Sequence, residues 1–213
     1  MERKAIDGPQ RNKARTKANI LKATGKILKE DGFSKLNVAR IADEAKTDRK
    51  LIYNYFGNLD GLVKEYLESH DYWKIQTEDI GDVIQANLHD SGKTLATEVL
   101  VDQLSSLLGN EEMRQIITWG LSQRSSHLKE LDLKRETVGN EILAAVIDDR
   151  FKDGPVNFRA LYALLMGGVY YLTLHAKMLE NTFCGIDIQK RSGQEVIKKT
   201  IIDVIDLIYA DMR

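Results

Sequence analysis

A single cysteine, Cys184, occurs in the 213 residues, so no internal disulfide can form and no second thiolate is on hand for a cysteine-type zinc site. Only two prolines are present, Pro9 and Pro155, and little therefore interrupts long helices. No stretch reaches the roughly 18 uninterrupted apolar residues that a bilayer-spanning helix needs. The charged N-terminus also lacks the apolar core of a secretory signal. These absences predict a cytoplasmic protein with no membrane partner. The four histidines, His70, His89, His127 and His175, show no paired spacing such as H-x-x-x-H, and no glycine-rich phosphate loop is found. No catalytic residue, no metal ligand and no cofactor is expected, and the chain reads as a non-enzyme. Cys184 sits in a loop-like stretch, Asn181 to Ile188, where a nucleophile, a redox sensor and a bystander thiol all remain open readings.

What is present is a composition of 43% hydrophobic and 30% charged residues, that of an ordinary globular protein of one or two domains. The net charge of −1 conceals an asymmetry. Through residue 60 there are 14 Lys and Arg against 8 Asp and Glu, an excess of six positive charges; the remainder carries 17 against 24. Most of the basic excess lies in Arg3, Lys4, Arg11, Lys13, Arg15, Lys17, Lys22, Lys26 and Lys29, faced only by Glu2 and Asp7. Such a segment suits a polyanion, because each phosphate neutralised releases counterions. A solvated charged helix face is the alternative on charge alone.

Apolar residues recur at three- and four-residue steps, as in Ile20, Ala23, Ile27 and Leu28, and again from Val196 to Ile208. That is the period of amphipathic helices, and sustained period-two alternation is missing, so the fold class predicted is all-α. Helices are expected at about 12–31, 38–45, 49–54, 59–77, 93–109, 111–124, 127–150, 157–180 and 192–211.

The segment between Asn37 and Tyr53 carries the most specific pattern. Gly32 ends the first helix, where a residue without Cβ takes a left-handed conformation freely, and Phe33 turns inward. Asn37 is an N-cap for a helix whose face is Val38, Ile41, Ala42 and Ala45; after a turn at Lys46 and Thr47, Asp48 caps a third helix. Two short helices crossing at small residues describe a helix-turn-helix, whose second helix presents its N-terminal residues to base edges in the major groove. Arg49 and Lys50 occupy that end. Arg can make paired hydrogen bonds to guanine, and Lys offers a point charge. Tyr53, Asn54 and Tyr55 stand where a hydroxyl or amide reaches phosphate oxygens. Leu51 and Ile52 either pack inward or touch a thymine methyl. The DNA-contacting set is thus Lys17, Asn37, Lys46, Thr47, Asp48, Arg49, Lys50, Tyr53, Asn54 and Tyr55.

Ile20-Leu21-Lys22-Ala23, Gly32-Phe33, Val38 to Ala42, Ala45, Leu51 to Phe56 and Leu62 together resemble the DNA-binding domain of the TetR family of transcriptional regulators. The likeness covers about fifty residues. It implies a three-helix N-terminal DNA-binding domain (1–58) followed by a larger helical domain (59–213) that dimerises and encloses a small-molecule site. It also implies a repressor, this being the family's common mode, acting as a homodimer on a palindromic DNA operator. Four positions depart from the family pattern. Lys46 stands at the usual turn glycine, Asp48 at the usual Ser or Thr cap, Lys50 at a position often glycine, and Leu59 where a phosphate-binding lysine is common. The departures shift the expected affinity toward Lys50 and the basic N-terminal segment. A helical interaction module with a degenerate head is the alternative function.

Beyond residue 75 the residues themselves support a dimer. The stretch 157–180 is apolar around much of its circumference, from Phe158 through Leu179, and Gly167 and Gly168 would let another helix approach closely. The last helix, 192–211, adds a stripe from Val196 to Ile208, and the two are expected to form a two-fold interface. Candidate effector contacts, by position and residue type, are Leu104, Met113, Trp119, Phe151, Met166, Tyr170 and His175, with Leu121 and Gln103 beside them. Each can equally be plain core. The helix at 59–77, joining the two domains, is the expected lever.

Overall fold

The computed structural model describes residues 9–69, 80–122 and 126–211. Among them the chain forms α1 (Pro9–Asp31), α2 (Val38–Ala45), α3 (Arg49–Phe56), α4 (Leu59–Ser69), α5 (Ile80–Asn87), α6 (Lys93–Gly109), α7 (Glu111–Ser122), α8 (Ser126–Val146), α9 (Asp148–Phe151), α10 (Phe158–Met178) and α11 (Arg191–Asp211). No strand occurs among the described residues; an isolated bridge joins Phe183 to Ile186. The fold is all-α, as the periodicity predicts.

Two elements differ from the sequence reading. Helix α5 was not expected, and the helix foreseen at 127–150 is broken at Ile147 into α8 and α9. The expected helix 59–77 is described only as far as Ser69; its remainder lies outside the described residues, as does the end of 111–124.

The described chain divides into two compact units: residues up to 72 together with 115–129, and residues 73–114 together with 130–213. The unit that holds the head therefore extends past residue 58 and takes in most of α7 and the start of α8. Its core grows from the stripe that periodicity marks on α1. Ile20, Ala23, Ile27 and Leu28 are buried, with Ile41 and Ala42 of α2, Ile52 and Phe56 of α3, and Leu62, Val63, Tyr66 and Leu67 of α4. Each of the larger apolar side chains contributes about 1.5–3 kcal/mol by leaving water. Thr24, also fully buried, donates its hydroxyl to the Ile20 carbonyl at 2.9 Å and so loses no hydrogen bond. Ion pairs Lys26–Glu44 and Arg40–Asp31 tie α1 to α2. Gly32 closes α1 at φ 74° and ψ 173°, a region open in practice to glycine alone, and its N–H donates to the Leu28 carbonyl at 3.1 Å. The chain then delivers Phe33 onto Trp119, the rings stacked with centroids 3.5 Å apart.

The second unit is built on α6, whose Ala96, Leu100, Gln103, Leu104 and Leu107 are buried, with α10 and α11 packed against it. Asp90 accepts from the N–H groups of Gly92 and Thr94, meeting orphan donors at the start of α6. At the other end the buried Arg114 donates to the carbonyls of Leu107 and Leu108 and pairs with Glu111, covering carbonyls that the helix itself leaves unpaired. Phe151, Phe158 and Tyr209 form an aromatic cluster with centroids 4.7–5.9 Å apart. The Tyr209 hydroxyl donates to the Ser91 carbonyl at 2.9 Å, pinning α11 to the turn before α6.

Candidate nucleic-acid interface

The head is assembled from the caps outward. Asn37, in extended conformation, accepts from the Arg40 N–H at 2.9 Å and starts α2. At its far end Lys46 adopts φ 51° and ψ 49°, the left-handed conformation of a turn glycine, while the Thr47 N–H donates to the Ala42 carbonyl at 3.0 Å. The turn thus keeps glycine geometry with a lysine in place. Asp48 then accepts from the Lys50 N–H at 2.8 Å and begins α3, its charge against the positive end of the helix dipole.

Helical spacing sorts the eight residues of α3. Ile52 and Phe56 are buried one turn apart, and Leu51 and Tyr55 are half-buried. Arg49, Lys50, Tyr53 and Asn54 are exposed together on one side, Tyr53 to 52%. Ile52 is therefore core. Among the described residues no side-chain partner occupies Arg49, Lys50 or Lys46, so three cations stand free at the turn and at the first turn of α3. Tyr55 lies under the ammonium of Lys13, 5.6 Å from its ring centroid, which joins the N-terminal segment to the far end of α3.

Lys17 is placed differently. Its ammonium meets the Glu65 carboxylate of α4 at 2.7 Å and lies 5.0 Å from the centre of the Phe56 ring, so its charge is spent within the unit. Leu59 opens α4, half-buried; Asn58 accepts from the Gly61 N–H at 2.8 Å and caps that helix.

In the second unit a cavity of about 570 Å3 lies between α6, α8 and α10. Of the sequence-predicted ligand contacts, Met166 and Tyr170 line it, as does Gln103. Leu104 and Met113 are buried in the core away from it, and Phe151 lines a separate cavity of about 470 Å3 with Pro155 and Phe158. Trp119 is buried against Phe33 in the first unit, which also holds the exposed Leu121. His175 lies beside Tyr171 and Phe183, with Nδ1 buried and unbonded. The wall that sequence reasoning missed is polar: Asp132, Arg135, Glu136 and Asn140 of α8, with Arg159 and Tyr162 of α10. Their i, i+3, i+4 spacing was the available signal, and it reads equally as a solvent face. Arg159 donates Nε and Nη2 to Asp148, both at 2.8 Å, and this pairing holds its pKa above the ordinary guanidinium value. Burial raises the hydroxyl pKa of Tyr170.

Several large apolar side chains of α10 and α11 find no cover in the second unit, among them Leu164, Tyr171, Met178, Val196 and Leu207, the first and last exposed to 74% and 71%. A Cβ placed on Gly167 or Gly168 would meet nothing within 4 Å. No helix among the described residues is long and apolar enough to cross a membrane, and no group of three or more metal-ligating side chains occurs among them.

Residues 20–66, which span α2, the turn at Lys46, α3 and most of α4, match the family described as bacterial regulatory proteins, tetR family. The HTH-type transcriptional repressor NicS of Pseudomonas putida is 39% identical over 54 residues, covering 25% of this chain and 26% of that protein. The match therefore spans about a quarter of that relative's length. Over nearly the whole chain the fold is that of native NalD from Pseudomonas aeruginosa, described as the secondary repressor of the MexAB-OprM multidrug efflux pump. The TM-score is 0.62 at 18% identity, over 91% of this chain and 96% of that one. A TetR family transcription regulator from Marinobacter aquaeolei gives 0.58 at 19% identity, over 91% and 97%. The family's domain is thus seated on the helices that Asn37 and Asp48 cap, and the chain as far as α11 is similar in fold to these regulators.

Proposed function

We propose that the protein is a ligand-responsive transcriptional regulator that binds a palindromic DNA operator as a homodimer and represses from it. The observation that carries the reading is the exposed side of α3, where Arg49 and Lys50 stand unpaired at a capped N-terminus beside Lys46. Arg49 is the base reader, by the two parallel bonds its guanidinium makes to guanine O6 and N7. Lys46, Lys50, Tyr53, Asn54 and Tyr55 hold phosphates, with Lys13 above Tyr55. Asn37, Thr47 and Asp48 shape the surface, and Lys17 supports it from within.

A single head of this size reads only a short half-site, and two held about one helical turn of DNA apart multiply affinity. The uncovered apolar faces of α10 and α11, with the open space at Gly168, favour a second copy as the partner that supplies the second head. The effector site is the cavity lined by Gln103, Met166 and Tyr170. Its α8 wall continues in the same helix to Ser126–Lys129, residues that belong to the first unit. A ligand that prefers one spacing of the heads changes operator affinity by its differential affinity for the two states, and α8, whose residues fall in both units, is the element proposed to convey the change.

Selection of bound sequences from random DNA tests this reading. Enrichment of a two-fold palindrome is expected. Enrichment of no sequence overturns specific recognition, and a single asymmetric half-site overturns the dimer.

A further inference from the structure

Resting on the reading of the α6–α8–α10 cavity as the effector site, we infer that it takes an uncharged, largely apolar molecule that carries a carbonyl-type oxygen. The oxygen accepts from the side-chain amide of Gln103, with the Nε–H of Arg135 as a second donor. A volume of about 570 Å3 suits a drug-sized molecule. Apolar side chains come from all three helices, Val99 of α6, Ile142 of α8 and Met166 of α10, so hydrocarbon is covered from three directions.

Hydrogen bonding, not charge, sets the preference. Along the lining Asp132 and Glu136 balance Arg135 and Arg159, two carboxylates against two guanidiniums. Both carboxylates belong to exposed residues, where water and salt screen them, and burial keeps the Tyr170 hydroxyl neutral. An ion of either sign would bring a charge without a counterpart into this wall and would lose its own hydration on entering. What the lining leaves unmet is a pair of donors. Nε2 of Gln103 and Nε of Arg135 are buried without a hydrogen-bond acceptor, although each residue makes other interactions. Gln103 is only 6% exposed and stands on α6 one turn from Val99. A guanidinium can only donate, and so can an amide nitrogen. A buried donor that has given up water and found no acceptor costs its full desolvation; a ligand oxygen recovers that loss, hydrocarbon leaves it standing, and a further donor cannot answer it.

The test uses four diphenyl probes of similar shape, benzophenone, diphenylmethane, diphenylacetate and diphenylmethylammonium, titrated calorimetrically into the full-length protein. The first carries a neutral acceptor, the second none, the third an anion and the fourth a cation. Benzophenone is expected to bind about tenfold tighter than diphenylmethane, the worth of one buried donor satisfied, and tighter than either ion. Burial of hydrocarbon alone would give the reverse order, because diphenylmethane is the more apolar of the two. Gln103→Leu, which replaces the amide by hydrocarbon of similar size, should erase the tenfold preference while diphenylmethane still binds. Met166→Trp, which fills the cavity, should abolish binding of both and so locates the site. Wild-type protein that binds diphenylmethane as tightly as benzophenone overturns the inference, as does tighter binding of either ion, a Gln103→Leu protein that keeps the preference, or no binding by any probe. Operator binding measured in the same samples separates the two readings. Benzophenone bound as expected with operator affinity unchanged refutes the effector role and leaves the acceptor site standing. Operator release by an ion alone keeps the regulator and refutes the uncharged ligand.

Discussion

Two lysines in one head give opposite expectations although both lie in its basic half. Lys50 is exposed and unpaired at the start of α3; Lys17 is held by Glu65 and the Phe56 ring. For duplex DNA the logarithm of affinity falls with the logarithm of salt concentration by about 0.9 for each phosphate neutralised. Replacing Lys50 by Ala removes one such contact per head and two per dimer, so the slope becomes shallower by about 1.8. Between roughly 50 and 200 mM salt, a fourfold span, the wild-type and variant curves should therefore converge by about tenfold. Lys17→Ala should leave the slope as it is. Its cost falls on folding instead, about 1 kcal/mol from a partly exposed ion pair, discounted for screening, and a cation–ring contact. A midpoint lower by about 2–4 °C is the corresponding thermal shift for a chain of this length. Fluorescence anisotropy on the selected palindrome, paired with thermal denaturation, reads both effects. A Lys50→Ala slope equal to that of the wild type refutes the phosphate role of α3. A Lys17→Ala slope as flat as that expected for Lys50→Ala refutes the argument from pairing.

Other perturbations test the scaffold. Lys46→Gly relieves a side chain held at φ 51° and should stabilise the protein by about 0.5–1 kcal/mol in urea denaturation, the unfolded-state entropy of glycine having offset part of the gain. It should also weaken operator binding through loss of a free cation; a variant less stable than wild type would sink the strain argument. Trp119→Ala deletes a ring that is 5% exposed and stacked on Phe33, for an expected cost of about 3–5 kcal/mol in the same assay. A cost under about 1 kcal/mol, within the range of surface changes, would show that the stack is not a packed contact. Leu207→Glu places a charge on a side chain 71% exposed in the single chain. Helical circular dichroism should persist while sedimentation shifts from dimer to monomer, and a variant that sediments with the wild type would move the interface away from this face of α11.

The head was legible because its rules are local. Asn37 and Asp48 each cap within three residues, and Ile52 and Phe56 are spaced by one turn, so nothing distant is needed to foresee α2 and α3. Helix α5 was not foreseen because eight residues containing Gly81 give too short a stripe. The break at Ile147 was hidden because apolar spacing runs unbroken from Val146 through Ile147 to Phe151, and the interruption is a single turn residue after which α9 opens on Asp148, the partner of Arg159. Leu104 and Met113 resemble cavity walls in residue type, and only the fold shows that they are core, while Phe151 lines a cavity other than the one that Met166 and Tyr170 share. Trp119 was assigned to the ligand site because no short-range pattern announces a partner as far away in the chain as Phe33.

The departures from the family pattern draw a consistent physical picture once the turn is seen. Lysine at the glycine position costs about 1–2 kcal/mol of left-handed strain, yet the turn does not change shape, because the Thr47 N–H still closes on the Ala42 carbonyl and Asp48 still caps α3. The strain therefore does not relax into a different reading geometry. What changes is charge. Lys46 and Lys50 add two free cations at the start of the reading helix, while Leu59 takes one away at the start of α4. On the proposed reading, phosphate affinity should move by this exchange from α4 toward the end of α3 that carries Arg49. Positioning and recognition are then set by adjacent residues on one helix turn, so substitutions at Lys50 should alter both affinity and the tolerance for mismatched half-sites, whereas restoring Leu59→Lys should raise affinity for all sequences alike.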